Sequence, residues 1–144
     1  MNLKNILYND LNIENCIRVI KFINEENFNH KINSDYLKWW YLNKKFSTST
    51  FVFSEYKNDI VSIATINNFN IIIDNKIISF GMAQNVITAK KLRGKGLFND
   101  IFIKCEKNNV NKNVLNYITF TNSQSTPIFL KKFSYLRGLC PEII

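Results

Sequence analysis

Two of the four glycines in this chain of 144 residues fall in one basic turn, and that turn constrains the fold most. Residues 86–88 (Val-Ile-Thr) before it are β-branched and suit a strand. After it, apolar residues recur at helical spacing from Leu97 to Cys105. In so glycine-poor a chain, Gly94 and Gly96 are expected to serve a backbone need, either a positive φ or the close approach of another group. The stretch therefore predicts a strand, a turn and a helix in succession.

The same turn has the properties of an anion site. Backbone N–H groups at a helix start attract negative groups, and a glycine has no Cβ to block their approach. Lys90, Lys91, Arg93 and Lys95 add positive charge. The dinucleotide-binding pattern is not met, because Asn99 stands where a third glycine is required, and the P-loop pattern lacks its Gly-Lys-Ser/Thr. The turn is therefore predicted to bind a phosphate or pyrophosphate.

Composition and charge narrow the class of protein. The net charge of +8 and pI of about 9.4 favour an anionic ligand or partner, which could be a nucleotide-containing cofactor, nucleic acid or a membrane surface. A hydrophobic fraction of 46% argues against disorder, and the length suits a single domain over residues 1–144. Residues 1–10 lack the apolar run of a signal peptide, and no stretch reaches transmembrane length. We therefore expect a soluble, cytoplasmic protein.

The three cysteines argue against metal binding. Cys16, Cys105 and Cys140 are far apart and form neither a CxxC pair nor a cluster with histidine. Their odd number also argues against a secreted disulfide scaffold. The sequence therefore predicts buried reduced thiols and no metal site.

The first half of the chain predicts one strand, two helices and a meander. A strand at residues 3–8 precedes a helix whose apolar face runs from Ile13 to Ile23. Ser34 is the expected N-cap of a second helix that is apolar on most sides and would be buried or line a pocket. Residues 50–88 then predict antiparallel strands, because their short turns cannot make a parallel crossover. Asn67 and Asn68 are expected to break this run.

The second half predicts a parallel unit. A helix over residues 97–108 and a strand over 113–120 would follow the last meander strand, and a strand–helix–strand order implies a parallel pair. A last helix at 123–133 holds Pro127 in its first turn, and a strand is expected at 135–139. These elements together predict an α+β fold.

The turn and its flanks resemble motif A of the GNAT superfamily of acyl-CoA-dependent N-acyltransferases. That motif reads Q/R-x-x-G-x-G/A, and residues 91–96 (Lys-Leu-Arg-Gly-Lys-Gly) match it with Lys91 in the place of Arg or Gln. Residues 120–135 resemble motif B, in which a strand ends in Asn and a helix ends in a Gly-aromatic pair. Asn122 fits the first feature, and Ser134 and Tyr135 stand in place of the pair. The aromatic second helix is similar to that of members that acylate amino sugars and other small amines.

The resemblance implies a mixed, mainly antiparallel GNAT-like sheet flanked by helices, with one parallel β-α-β unit. It also implies a shortened C-terminal part, because the family usually has two strands after motif B and only residues 134–144 follow it here. Either the sequence is a piece of a longer protein or a partner chain completes the sheet. An open sheet edge would favour a homodimer.

The resemblance further implies where acetyl-CoA, or another acyl-CoA, would lie. The cofactor would occupy a cleft between the fourth strand and the strand after the third helix, with pantetheine paired to strand backbone and pyrophosphate held by the turn. Phe129 stands where the family has a tyrosine, and it would pack against the cofactor or in the core. The implied cofactor-binding residues are Asn85, Val86, Ile87, Lys91, Leu92, Arg93, Gly94, Lys95, Gly96, Leu97, Asn122 and Phe129.

Catalytic candidates are fewer. A neutral amine would attack the thioester, so a base or a water relay must take its proton. His30, the only histidine, and Glu26 at the end of the first helix are candidate bases, although both residue types are commonly just solvated in such places. Because Phe129 cannot donate a proton, Tyr135 is the candidate acid for the leaving thiolate, with Tyr117 as the alternative. Glu55, on a strand, is expected to face solvent.

Three functions are consistent with these features. The first is an N-acetyltransferase acting on a primary amine of a small molecule, such as an amino sugar, without a nucleic-acid or membrane partner. The second is a non-catalytic acyl-CoA-binding module of the same fold. The third is a basic nucleic-acid-binding domain. Two observations argue against this third function: the basic residues are spread along the chain, and they lack the interleaved aromatic pattern of RNA-binding sheets. One of the adjacent residues Trp39 and Trp40 is expected in the core, and the other at an acceptor pocket.

Overall fold

The computed structural model describes residues 3–8, 11–26, 31–43, 48–110 and 114–136. Its centre is one sheet of five strands in the order β1-β2-β3-β4-β5. The strands are β1 (Lys4–Tyr8), β2 (Thr48–Tyr56), β3 (Asp59–Ile73), β4 (Lys76–Thr88) and β5 (Asn116–Thr119). The helices are α1 (Ile13–Glu26), α2 (Ser34–Leu42), α3 (Leu97–Val110) and α4 (Thr126–Lys132), with a short 3₁₀ turn at Lys90–Leu92.

The strand directions confirm the predicted fold class. β1 to β4 pair antiparallel in sequence order, and β5 pairs parallel to β4 after the α3 crossover. The two tight turns of the meander, Lys57-Asn58 and Asp74-Asn75, have positive φ at both central residues. Hairpin turns of this kind match the right-handed twist of the strands that they connect. The sheet is therefore mixed, mainly antiparallel, and flanked by helices.

The predicted break in the meander at Asn67 and Asn68 is wrong, because β3 continues through both residues. Both side chains are buried and hydrogen-bonded, which removes the cost of placing amides in the interior. Ser49 Oγ donates to Asn67 Oδ1 at 2.6 Å. Asn109 Nδ2, from the end of α3, donates to Asn68 Oδ1 at 2.9 Å. These contacts come from distant parts of the chain, so local propensity could not reveal them.

Two helices cover one face of the sheet. α1 buries Cys16, Val19, Ile20, Phe22 and Ile23, as its spacing predicted. The N-cap of α2 lies one residue earlier than the sequence predicted: it is Asn33, and Ser34 is the first residue of the helix. The Asn33 side chain accepts hydrogen bonds from the backbone N–H groups of Asp35 and Tyr36.

Strand alternation gives the sheet two cores. Phe51, Phe53 and Ile63 pack beneath α1 and α2, whereas Val52 and Ala64 face α3 and α4 on the opposite side. Cys16 lies in the first core and Cys105 in the second, and both are fully buried. Cys140 lies outside the described residues. On the α3–α4 side, an aromatic cluster comprises Phe98, Phe102, Phe129, Phe133 and Tyr135.

Two smaller predictions also need correction. Glu55 does not face solvent: its side chain is 12% exposed and lies 2.5 Å from Arg18 of α1. In the predicted last strand, Tyr135 and Leu136 belong to no regular element, and the remainder lies outside the described residues. None of the helices within the described ranges combines the length and apolarity needed to cross a bilayer.

Candidate functional site

β4 and β5 separate part of the way along their length. They pair from Phe80–Asn116 to Ala83–Thr119, and β4 then continues to Thr88 without a partner on that side. At the point of separation β4 contains a bulge. Ile63 faces Ile87 and Thr65 faces Gln84, so Ala64 alone stands opposite two residues of β4. A bulge bends and twists its strand, which accounts for a gap opening between β4 and β5.

Asn85 and Val86 are the two residues of this bulge. Asn85 has φ +46°, a left-handed conformation that asparagine tolerates better than most residues. Its Nδ2 donates to the hydroxyl of Tyr41 on α2, and that hydroxyl also bonds to Thr65. Thr65 in turn donates to the Gln84 carbonyl. α2 and β3 therefore hold the bulge in place.

The glycine turn follows β4 and leads into α3. Gly94 has φ +78° and Gly96 has φ +81°, and no atom lies within 4 Å of the position that a Cβ would take at either residue. The sequence left open whether these glycines serve a positive φ or close packing within the chain. The positive φ is the reason, and the space beside both glycines is open.

The turn also presents backbone donors. Among the described residues, none accepts a hydrogen bond from the backbone N–H of any residue from 94 to 98. The first N–H groups of a helix lack partners within it, and the α3 dipole adds partial positive charge at this end. With open space at two glycines, these donors form a cradle suited to an anion.

Arg93 and Glu26 anchor the turn to the end of β4 and to α1. Arg93 Nε donates to the Thr88 carbonyl at 3.0 Å. Glu26 Oε2 accepts from the Lys90 backbone N–H at 2.9 Å and lies 3.9 Å from Arg93 Nη2. The structure thus places Glu26, a candidate base, as a tether between α1 and the turn. Glu26 and Lys91 both line a cavity of about 480 Å³ beside α1.

A cleft of about 340 Å³ lies between the unpaired end of β4, the glycine turn, and the loop that leads from β5 to α4. We call it the β4–β5 cleft. It brings together eight of the residues implied for the cofactor: Val86, Ile87, Leu92, Arg93, Gly94, Gly96, Leu97 and Asn122. The residues that sequence reasoning did not include are Thr88, Phe98, Gln124, Ser125 and Ile128. Gln124 and Ser125 carry no sequence signal beyond their position before α4.

Asn122 shapes the loop at the far wall of this cleft. Its Oδ1 accepts from the backbone N–H groups of Gln124 at 3.1 Å and Ser125 at 2.9 Å. Its carbonyl accepts from the Thr126 hydroxyl at 2.7 Å. Asn122, which lies in the loop between β5 and α4, therefore fixes the entry to α4.

Three aromatic candidates lie away from the cleft. Phe129 is 4% exposed within the aromatic cluster, where its ring contacts Phe98, Phe102 and Tyr135. The Tyr135 hydroxyl lies 3.4 Å from Glu106 on α3, and burial together with that carboxylate raises the pKa of Tyr135. The Tyr117 hydroxyl donates to the Val114 carbonyl at 2.9 Å. None of these groups lines the β4–β5 cleft.

A third cavity, of about 230 Å³, lies on the other side of the bulge from the β4–β5 cleft. We call it the α2 pocket; its lining is Ile32, Tyr36, Leu37, Trp40, Ala83, Gln84, Asn85 and Phe120. Trp40 both packs against the core and lines this pocket, whereas Trp39 is 49% exposed and lines neither cavity. Of the remaining candidates, Lys95 is exposed in the turn, and His30 lies outside the described residues.

Comparisons with known proteins show relatives by fold. No family model matches the sequence, and no curated protein matches it. Among solved structures, a predicted acetyltransferase from Clostridium acetobutylicum, solved with acetyl-CoA, superposes with a TM-score of 0.76 at 17% identity, over 95% of this chain and 92% of the other. Glucosamine-6-phosphate N-acetyltransferase from Arabidopsis thaliana superposes with a TM-score of 0.70 at 10% identity, over 97% of this chain and 96% of the other.

An aminoglycoside acetyltransferase from an uncultured soil metagenomic sample, solved with sisomicin, gives a TM-score of 0.68 at 11% identity, over 96% of this chain and 92% of the other. At these identities the similarity establishes the fold and leaves the reaction open. The three superpositions cover 95–97% of this chain, so the shared fold extends over nearly its whole length.

Proposed function

The chain has the fold of the GNAT N-acyltransferases, and we propose that it transfers an acyl group, in the simplest case acetyl, from acyl-CoA to a primary amine of a small molecule. One observation carries the proposal: the β4–β5 cleft has a cradle of backbone donors at one end and the β4 bulge at the other. An elongated ligand with an anionic end and an amide-containing arm fits this arrangement. We include in the proposal that residues 1–144 act as one domain.

The turn would bind the pyrophosphate of CoA. Its N–H groups from residue 94 to 98 lack acceptors among the described residues, and Gly94 and Gly96 leave room for phosphate oxygens. The unpaired edge of β4 beyond Gln84 can hydrogen-bond the amides of pantetheine as a neighbouring strand would. The thioester supplies an activated acyl group, and the bulge at Asn85 and Val86 would receive it.

Proton removal from the amine does not need Glu26 in this arrangement. Glu26 already serves the Lys90 N–H and lines a different cavity from Asn85. The α2 pocket has no carboxylate among its lining residues, and apolar surroundings favour the neutral form of an amine. We therefore assign the deprotonation to desolvation of the amine and to water, with His30 kept as a proposed base.

The second candidate function is an acyl-CoA-binding module without catalysis. The observation in its favour is the lack of an ionisable proton donor other than Arg93 among the residues that line the β4–β5 cleft. Tyr135 and Tyr117 direct their hydroxyls to Glu106 and Val114 instead. A CoA thiolate is nevertheless a stable enough leaving group for the transfer to proceed without such a donor.

Thiol release tests the proposed function. Purified protein is mixed with acetyl-CoA and a panel of primary amines, and free CoA is followed with a thiol reagent. We expect amine-dependent release of CoA with at least one member of the panel. Binding of acetyl-CoA without release for any amine favours the module. Stabilisation against heat by duplex DNA, with none by acetyl-CoA, contradicts both and favours the nucleic-acid-binding alternative.

A further inference from the structure

The lining of the α2 pocket restricts the charge of the amine that can enter it. This inference rests on the proposed function, because it concerns the acceptor of the same reaction. Consecutive residues of the bulge line the two cavities: Asn85 lines the α2 pocket and Val86 lines the β4–β5 cleft. The proposal therefore has the amine of the acceptor reach the acyl group at this bulge.

Aromatic and aliphatic side chains form most of the pocket wall. The rings of Tyr36 and Trp40 stack 26° from parallel with their centroids 6.0 Å apart, and both line the pocket, so they offer aromatic surface on which a flat group can pack. Leu37 and Ala83 add aliphatic surface, and both are buried. A cavity of about 230 Å³ is smaller than the pockets that hold drug-sized ligands, so its occupant is small.

The polar groups of the pocket are uncharged: the side-chain amides of Gln84 and Asn85, the Tyr36 hydroxyl and the Trp40 indole N–H, which is buried without a hydrogen-bond partner in the described structure. Asn67 Nδ2 donates to Gln84 Oε1 at 2.7 Å, and Asn67 Oδ1 is itself held by the Ser49 hydroxyl at 2.6 Å. The buried side chains of Ser49 and Asn67 therefore fix the orientation of the Gln84 amide. Gln84 Nε2 then has only the weak thioether acceptor of Met82, at 3.6 Å. Gln84 can thus donate to an oxygen of a ligand but does not supply a negative charge.

Among the described residues, no carboxylate lines this pocket. Its lining residues include no Asp or Glu, and neither do residues 27–33 and 43–50, which flank α2 in the sequence. Asp35, at the start of α2, has a side chain that is 90% exposed and lies 3.6 Å from Lys38 Nζ. A second ammonium group that binds against the rings of this pocket, without a counter-charge, loses part of its hydration with no compensating ion pair.

We propose that the acceptor is a small monoamine whose body is flat and apolar and carries no second positive charge, and that Gln84 helps to determine this specificity. Polyamines and polycationic amino sugars are then poor substrates. The net charge of +8 acts in the same direction, because it lowers the local concentration of polycations.

A matched pair of amines tests the proposal. Benzylamine and 1,4-bis(aminomethyl)benzene share one ring and differ by a second ammonium group. We expect kcat/KM for benzylamine to exceed that for the diamine by about tenfold or more, since the second charge has no partner in the pocket. Equal values, or a preference for the diamine, overturn the proposal.

A charge substitution in the pocket sharpens this test. Gln84→Glu keeps the oxygen that accepts from Asn67 and adds the missing carboxylate, so the preference for benzylamine should shrink or reverse. Asn70→Asp is the control, because it adds the same charge at an exposed position of β3 outside the pocket and should leave the preference unchanged. A Gln84→Glu protein that keeps the wild-type ratio contradicts the role of Gln84. If that variant does not fold, the wild-type ratio decides the charge preference.

Tryptophan fluorescence separates this proposal from the proposed function. Trp39 and Trp40 are the only two tryptophans, so Trp39→Phe leaves the one that lines the pocket as the sole reporter. In that variant, saturated with CoA, we expect quenching by benzylamine and at least about tenfold weaker quenching by the diamine. If no amine releases thiol, the catalytic function fails, and quenching still decides the pocket assignment. Equal quenching by both amines, or none by either, overturns it.

Discussion

Gly94 and Gly96 carry the strictest backbone requirement of the chain. Both have φ close to +80°, where any residue with a Cβ is strained. Nothing within the protein crowds the missing Cβ atoms, so packing alone would tolerate a side chain. The requirement is therefore conformational, and it directs the free N–H groups toward the open space.

Gly96→Ala tests that requirement. Alanine in a left-handed conformation costs about 1–2 kcal/mol, so the turn is expected to relax and its N–H groups to lose their alignment. We predict that the Kd for acetyl-CoA rises by about tenfold or more, measured by titration calorimetry, while circular dichroism stays unchanged. Lys95→Ala is the matched control: it keeps both glycines and should weaken binding much less. Wild-type affinity in the Gly96→Ala protein would count against the turn as the pyrophosphate site.

Single residues also show where sequence reasoning reached its limit. Gly94 and Gly96 could be identified because glycine has a specific backbone role. Glu26 could not be assigned, since its contact with the Lys90 N–H spans 64 positions in the sequence. The sequence predicts that Phe129 packs either against the cofactor or in the core. Only its ring contacts with Phe98 and Phe102 distinguish these two locations.

At the scale of elements, α2 and β4 are joined through one hydroxyl. Tyr41 is buried on α2, and its hydroxyl accepts from Asn85 in the bulge and bonds to Thr65 of β3. Burial is the main cause that raises the pKa of Tyr41 to about 12 from the ordinary value of 10.0. The folded state therefore favours the neutral phenol, which keeps the bulge attached to α2.

Tyr41→Phe is predicted to loosen this joint and to change the alkaline stability. In the wild type, the stabilisation from Tyr41 is present in full below pH 10 and is lost as the pH rises toward 12, because only the unfolded state ionises readily at pH 10. The free energy of unfolding of the variant should be lower by about 1–3 kcal/mol at neutral pH, since Asn85 Nδ2 is left without its partner. Its stability should then fall less steeply above pH 10 in urea titrations.

Tyr117→Phe is the control for that experiment. Burial also raises the pKa of Tyr117 to about 12, but its hydroxyl bonds to Val114, away from the bulge. In both variants the free energy of unfolding should fall less steeply above pH 10 than in the wild type. Only Tyr41→Phe should raise KM for the amine. Equal effects on KM in the two variants would contradict a positioning role for Tyr41.

Element boundaries followed from the sequence where the signal was local. The α1 spacing, the two meander turns and the helix after the glycine turn were all predicted and are present. The errors arose where tertiary contacts override local preference. Asn67 and Asn68 are common strand breakers, yet hydrogen bonds to Ser49 and Asn109 keep them within β3.

At the scale of the whole molecule, two cavities meet at one bulge. Val86 lines the β4–β5 cleft and Asn85 lines the α2 pocket, so the two cavities lie on either side of the bulge. Such a junction is what a transfer between two ligands requires, because the reacting atoms must meet within a bond-forming distance. The fold class and the turn could be predicted from the sequence. The bulge could not, because it depends on the register between two strands.

The edge of the sheet leaves one prediction open at this scale. β5 borders the described sheet, and its residues Asn116–Thr119 carry no charge that would discourage pairing with another strand. Leu115 and Phe120 on either side are exposed. Homodimerisation through this edge stays a prediction.

The central claim is that the glycine turn binds acyl-CoA through its backbone N–H groups, and glycine-selective ¹⁵N labelling tests it most directly. The chain has four glycines, so the amide spectrum of such a sample holds at most four glycine peaks, and Gly96→Ala assigns one of the pair in the turn. At saturating acetyl-CoA, we predict large shifts for Gly94 and Gly96 and much smaller ones for Gly81, which lies where β4 pairs with β5. Unmoved Gly94 and Gly96 peaks in the presence of saturating acetyl-CoA would contradict the account.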